Sequence, residues 1–378
     1  MSYASKKNTF ENNPKKTIVI FIGISLLLFD FLFKGLLNLY NAVFYSDSIQ
    51  DVVTSHDVYH HTFKPYKEVN LHSDKGNYTI ITNSLGFKDD KKINIEKDID
   101  KKRIIFIGDS FTEGVLLNFE KTFAGIFKKY LAERDIDFLN AGRGGYSPII
   151  YWTKIKHLLE IEKVKFDELY VFIDLSDTFD EYATYDLNEN QNVILKKIPQ
   201  SKPIQRENFI GKTKIFLKKN TIFTYFILNY ISDTLSNNDY ARIWYLHIVN
   251  DVHFDKWPIN KSAYNEWGEK GIKLQIKYMN KLKKLLDENN LKLTVVVYPW
   301  ISQIWYEDLN SLHVKIWKDW AKNNNSNFID LFPLFVKKGI SNSEKDKIIN
   351  ENYIRGDFHF NEKGNQIIAE ELIRKFVN

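Results

Sequence analysis

A three-layer α/β/α sandwich around a central parallel sheet, preceded by an N-terminal transmembrane helix, is the architecture this sequence predicts. Three observations carry that prediction. Apolar runs of strand length alternate with helical patterns from residue 101 onward, the run 104–107 is unbroken as in a strand covered on both faces, and a long apolar stretch follows Lys6, Lys7, Lys15 and Lys16. At 378 residues the chain can hold one large α/β domain together with an anchor, a linker and an insertion. It contains no cysteine and therefore no disulfide. Its net charge of +5 is spread over scattered lysines, without the aromatic and basic block that binds nucleic acid, so no nucleic-acid partner is expected.

Taken in order, residues 1–16 form a short N-terminus that the positive-inside rule places in the cytoplasm. Residues 17–37 supply roughly the 20 residues a helix needs to cross a bilayer, with Lys34 able to reach the far headgroups. Asp30 costs a few kcal/mol in that setting, eased by its place near the outer end. A cleaved signal peptide is the alternative, but no small-x-small cleavage site follows, which favours an uncleaved anchor with everything after Tyr40 outside. Residues 38–100 are mixed and polar and read as a stalk and lead-in, with a strand at 78–82. The domain proper, 101–378, has further strands at 137–139, 169–175, 293–298 and 328–331. A covering helix at 261–290 carries Ile272, Ile276, Met279 and Leu282 one turn apart. An insertion occupies about 186–260, and its apolar stretch 221–231 is too short to span a membrane, so it is either a packed helix or a lid lying on the bilayer.

Gly108 allows a tight exit from the strand at 104–107 and leaves Ser110 at the carboxyl edge of the sheet, where open α/β sheets place ligands and where backbone N–H groups could stabilise an oxyanion. Such a serine is a nucleophile or simply a helix N-cap. Near the C-terminus Asp357 and His359 stand two apart, so in an extended segment both face one side, the carboxylate orienting the imidazole while Phe358 packs the other way. That pair supplies the base a serine hydroxyl requires.

With Gly108-Asp109-Ser110 as a first block, Leu139-Asn140-Ala141-Gly142-Arg143-Gly144-Gly145-Tyr146-Ser147-Pro148 as a second, and a lead-in at 82–89, the sequence resembles the SGNH/GDSL hydrolase family over roughly 80–185 and 290–378. The resemblance implies a flavodoxin-like sandwich and a Ser110–His359–Asp357 triad, with Ser110 and Gly145 giving N–H groups to the oxyanion. In the third block Ser176 stands where the family has asparagine, and its single hydroxyl would be a shorter donor. Asp357 stands two before His359 where most members place the acid three before, a spacing seen in polysaccharide-modifying relatives. The resemblance thus implies an esterase or O-acyltransferase outside the membrane, acting on an acylated envelope glycan, with a multi-span acyl-delivering partner if it is a transferase. The alternative is a glycan-binding or assembly protein that kept the fold without catalysis.

Other motifs fail. Thr112 occupies the second glycine of a nucleophile elbow, Arg206 the first glycine of a phosphate loop ending Gly211-Lys212-Thr213, and Ser147 the third glycine of a dinucleotide fingerprint after Gly142 and Gly144. Asp251 and His253 repeat the Asp-x-His spacing but lack a following glycine and helix. His56, His60 and His61 read as exposed side chains, and neither metal nor organic cofactor is expected. Tyr298, Trp300 and Trp305 follow a strand and are read either as packing or as a platform for a sugar ring.

Overall fold

The computed structural model describes residues 13–44, 48–73, 75–196 and 254–377. The chain divides into two compact units, residues 1–46 with 198–239 and residues 47–197 with 240–378. In the first, the described part is one helix, α1 (Pro14–Phe44), opening on a proline whose fixed φ suits a first helical turn. Its Ile18, Val19, Phe21, Leu28 and Leu32 are exposed, and Asp30 is buried. Among the described residues no helix is long and apolar enough to cross a membrane. The expected span 17–37 includes Leu27, Phe31 and 34–37, whose side chains lie outside the described residues. The stretch 221–231 and the second Asp-x-His pair, Asp251 and His253, also lie outside them.

The second unit starts with segments expected to be a stalk and lead-in carrying one strand at 78–82; that strand is present, but the structure corrects the stalk. After the short helix α2 (Ile49–Val52) come two small antiparallel sheets, β1 (Val53–His56) with β2 (His60–Phe63), and β3 (Glu68–Ser73) with β4 (Gly76–Thr82) and β5 (Lys88–Asp89). Val52, Phe63, Val69, Leu71 and Ile80 form a small core of their own, while Tyr59, Phe87 and Ile95 enter the main core. The reason is burial: in β3 alternate residues are apolar and covered, so the segment folds onto the domain.

Next come β6 (Arg103–Ile107), β7 (Asp137–Asn140), β8 (Glu168–Ile173), a hairpin of β9 (Tyr185–Leu187) and β10 (Val193–Leu195), then β11 (Lys292–Val297) and β12 (Asn327–Asp330). The main sheet is five-stranded and parallel throughout, in the order β12-β11-β8-β6-β7. Each main strand lies within two residues of its expected place. Every residue of β6 and β8 is buried, so both faces of the sheet are covered. The helices fall into two groups: α4 (Phe123–Ala132) packs with the C-terminal helix Glu362–Val377, and α5 (Pro148–Glu160) packs with α6 (Asp177–Ala183) and with the long helix Glu269–Glu288. That long helix was expected to run from 261, but a π turn at Tyr264–Gly268 interrupts it where Trp267 becomes buried.

Phe106 is the hub of the core, fully buried and in ring contact with Phe123, Phe127, Phe138, Tyr170 and Phe172. Phe106→Ala is expected to cost about 3–5 kcal/mol of unfolding free energy, read from denaturant midpoints at constant m-value.

Candidate active site

The turn after β6 is built on close approach. A Cβ at Gly108 would lie 2.1 Å from Thr112 Oγ1 and 3.0 Å from Phe172 Cβ, so only glycine lets the strand pass directly into α3 (Ser110–Glu113). Asp109 caps that helix, its Oδ1 accepting from the Phe111 N–H at 2.9 Å. Ser110 is the first helical residue and half-buried, and its own N–H has no acceptor among the described residues, as expected of a first-turn donor. In chain order the five strands run 2-1-3-4-5, so the order reverses between β6 and β8. Ser110 leaves the first of these strands, and Asp174, Ser176 and Asp177 leave the second.

The base arrives from the other end of the chain. Residues 357–359 are a bend, where an extended segment was expected, closed by an antiparallel bridge between Tyr353 and Phe360. The bend makes the pairing tighter than an i, i+2 strand face would. Asp357 Oδ1 accepts from the His359 backbone N–H at 2.9 Å and from its ring Nδ1 at 2.5 Å. With Nδ1 protonated against a carboxylate, Nε2 is the acceptor, and Ser110 Oγ lies 2.8 Å from it. Burial pushes the Asp357 carboxyl up, but the two His359 hydrogen bonds and the imidazole charge outweigh it and hold the group down to about 2. The orienter therefore remains an anion through the whole ordinary pH range.

The oxyanion side comes from the loop after β7. Gly145 has φ +78°, in the left-handed region that favours glycine, and its N–H has no acceptor among the described residues. Gly144 lies against the nucleophile, a Cβ there being 3.5 Å from Ser110 Cβ. The Gly144 N–H donates to Glu113 Oε2 at 2.8 Å, and Arg143 Nη1 meets the same oxygen at 2.5 Å. Glu181 on α6 holds the far side of the loop, accepting from the Ile149 N–H at 2.6 Å and Ser147 Oγ at 3.0 Å.

Ser176 does not join this group. Its hydroxyl donates to Asp174 Oδ1 at 2.5 Å, and its N–H to the same oxygen at 2.6 Å, so its one proton is engaged away from the oxyanion position expected for it. Asp174 Oδ2 accepts from Trp300 Nε1 at 2.6 Å, Asp109 from Tyr298 Oη at 3.0 Å, and Asp177 Oδ2 from Tyr151 Oη at 2.9 Å. Asp109, Asp174 and Asp177 bring one oxygen each within 4.8 Å of one another, all three buried, a closeness unique among metal-capable groups of the described residues. Burial pushes all three carboxyls up, and mutual repulsion adds to this at Asp109 and Asp177. Asp177 Oδ1 has no hydrogen-bond partner among the described residues, and Asp109 Oδ2 faces only Ser110 Oγ, at 3.2 Å, whose one hydrogen is shared with the shorter contact to His359.

One open alternative is decided and one expectation is corrected. Tyr298 and Trp300 are buried, so neither is a platform for a sugar ring, and Trp305 is half-buried. His56, His60 and His61 are half-buried, in ring contact with Tyr59, Tyr185 and Tyr146 respectively. Glu113, Glu181, His61 and Tyr185 were not singled out for the site by sequence reasoning, because their partners are distant in the chain and no local motif marks them. A cavity of 820 Å³ lies at the opposite edge of the sheet, lined by Lys101, Lys102, Lys165 and Lys292 among others. Three of these lysines are matched by Asp135, Glu168 and Asp98.

No protein-family model and no curated protein matches the chain. Solved structures with a loosely similar fold include the acetyl xylan esterase AlAXEase, 16% identical with a TM-score of 0.39, covering 72% of this chain and 98% of that one. A GDSL-like lipase from Bacteroides thetaiotaomicron is 11% identical with a TM-score of 0.37, covering 74% and 91%. A catalytic mutant of an acetylxylan esterase from Geobacillus stearothermophilus is 13% identical with a TM-score of 0.38, covering 74% and 96%. At such distances the chemistry of the site rests on its own atoms.

Two outcomes are expected. Ser176→Ala lowers kcat for an activated ester less than about 10-fold, whereas loss of a true oxyanion donor costs about 10²–10³-fold. Burial pushes Glu181 up to about 8, against 4.5 for an ordinary glutamate, so between these pH values the folded state holds a proton that the unfolded state releases, and stability falls as pH rises. Glu181→Gln lacks this loss. Its melting temperature relative to wild type should climb from pH 4.5 and level off above pH 8, measured by calorimetry.

Proposed function

We propose that the protein is a serine ester hydrolase or O-acyltransferase of the SGNH/GDSL type. One observation carries the reading: the unbroken chain from Ser110 Oγ through His359 to Asp357, at 2.8 and 2.5 Å. Ser110 Oγ attacks the ester carbonyl as His359 Nε2 takes its proton, and the oxygen that gains charge is met by the N–H groups of Ser110 and Gly145. Collapse returns the proton to the leaving alcohol and leaves an acyl-serine. Water then completes hydrolysis, or a sugar hydroxyl completes transfer, through the same base.

The substrate we propose is an acylated envelope glycan, most simply an acetylated one, and the support is the sequence resemblance together with the apolar segment 17–37. That segment anchors the chain with its catalytic unit outside the cytoplasm, and the transferase version requires a multi-span membrane protein to deliver acyl groups. A non-catalytic glycan-binding role is favoured by one fact, the engagement of Ser176 with Asp174.

Turnover of 4-nitrophenyl acetate by the full chain tests the reading. Ser110→Ala and His359→Ala should each lose about 10³-fold or more, and Asp357→Asn on the order of 10³- to 10⁴-fold through the wrong imidazole tautomer. Acetylated oligomer formed from added glycan would select transfer over hydrolysis. Wild-type turnover no greater than that of Ser110→Ala would move the assignment to the binding role.

A further inference from the structure

The Gly144–Gly145 segment has four backbone hydrogen-bonding groups, and side chains from three separate elements hold three of them. Glu113 of α3 accepts from the Gly144 N–H at 2.8 Å. His61 of β2 lies with Nε2 2.8 Å from the Gly144 carbonyl oxygen, and Tyr185 of β9 donates its hydroxyl to the Gly145 carbonyl at 2.8 Å. The fourth group, the Gly145 N–H, is the one left without an acceptor among the described residues.

A carbonyl only accepts, so His61 must carry its proton on Nε2. Its Nδ1 is then an acceptor, and His60 Nδ1, 2.8 Å away, must be the donor. Each neighbour thus sets the tautomer of the next. His60 has φ +74°, a left-handed conformation costing roughly 1–2 kcal/mol for a residue with a Cβ, and the turn of the β1–β2 hairpin holds it there. Burial lowers the pKa of both imidazoles, His61 to about 4, which keeps the pair neutral at ordinary pH.

The peptide unit joining Gly144 to Gly145 is planar, with its C=O and N–H pointing in opposite directions. Pinning the carbonyl on one side therefore aims the N–H to the other. A hydrogen bond accepted at the carbonyl also polarises the unit and strengthens the N–H as a donor. We propose that His61, with its tautomer set by His60, is a positioning residue of the oxyanion hole, and that with Tyr185 it presents the Gly145 N–H to the oxygen that gains charge. This rests on the esterase reading above.

The rival explanation is packing alone, since the His61 ring also lies edge-on to Tyr146 at 4.9 Å between centroids. Two substitutions in the full chain separate them. His61→Phe keeps a ring and removes the donor, whereas His61→Gln keeps an N–H donor at similar reach and removes the ring. Expected for His61→Phe is a kcat for 4-nitrophenyl acetate about 10- to 100-fold lower with KM within about 3-fold, somewhat less than direct loss of an oxyanion donor. His61→Gln should recover most of that loss. The rate at which a fluorophosphonate labels Ser110, with the Oγ–P bond forming as fluoride leaves and the serine proton passing to His359, should fall in parallel. His61→Phe at wild-type kcat, or His61→Gln no better than His61→Phe, would overturn the inference while leaving the esterase reading intact. Absence of Ser110 labelling and of turnover in wild type would remove both. If His61→Phe shows no cooperative melting, Tyr185→Phe carries the test, with about a 3- to 10-fold fall in kcat expected and an unchanged kcat contradicting the mechanism.

Discussion

Glu113 is a carboxylate with no access to water, and the arrangement of the site follows from how its charge is met. Burial pushes the group up, but Arg143 at 2.5 Å, Lys88 nearby and the Gly144 N–H together pull it below the usual glutamate range. Leaving such a charge without its partner costs about 3–5 kcal/mol, so the glycine loop is obliged to close on α3. Since α3 begins with Ser110, that closure brings oxyanion loop and nucleophile together. Lys88 adds to it from the lead-in, donating to the carbonyls of Gly114 and Leu117 at 2.7 and 2.6 Å at the far end of the same helix. One buried anion thereby ties together three stretches of chain, each of which also contributes to the main core.

What the sequence made legible was what local chemistry dictates. Unbroken apolar runs marked β6, β8 and β11, and the glycine after β6 together with Asp357 and His359 marked a nucleophile and its base. What it hid has physical reasons. The strands within 48–100 are only two to seven residues long, and apart from the alternation in β3 and the strand read at 78–82 their apolar pattern is too short to mark a folded layer, so the segment reads as a stalk. His61 meets a carbonyl 83 residues away, and Tyr185 one 40 residues away, at separations no motif encodes. The bend at 357–359 was read as extended because two-residue spacing suits a strand face, yet an aspartate can reach the N–H two residues on without any strand.

Hydroxyl allocation explains why Ser176 cannot be judged from the identity of the residue alone. An asparagine there would have an amide with two donor hydrogens, enough for a buried carboxylate and an oxyanion together, whereas a serine has one hydrogen and must choose. In this chain Asp174 takes it. The remaining donors at the site are backbone N–H groups, whose direction is set by the peptide planes around them, so the stabilising field depends on how rigidly those planes are held.

The base side has a corresponding support, and Trp300 provides it. Its indole N–H donates to Asp174 at 2.6 Å, and its ring stacks on Phe358 with centroids 4.4 Å apart and planes 13° off parallel. Phe358 stands between the two catalytic-chain residues Asp357 and His359, so the stack fixes the bend that holds them. The same indole therefore links the buried carboxylates behind β8 to the imidazole in front of Ser110. An aromatic residue at a strand end suggests a sugar platform when its ring is free. Here both the face and the N–H are already committed, and the indole serves to keep the base still while the nucleophile is attached to a different part of the fold.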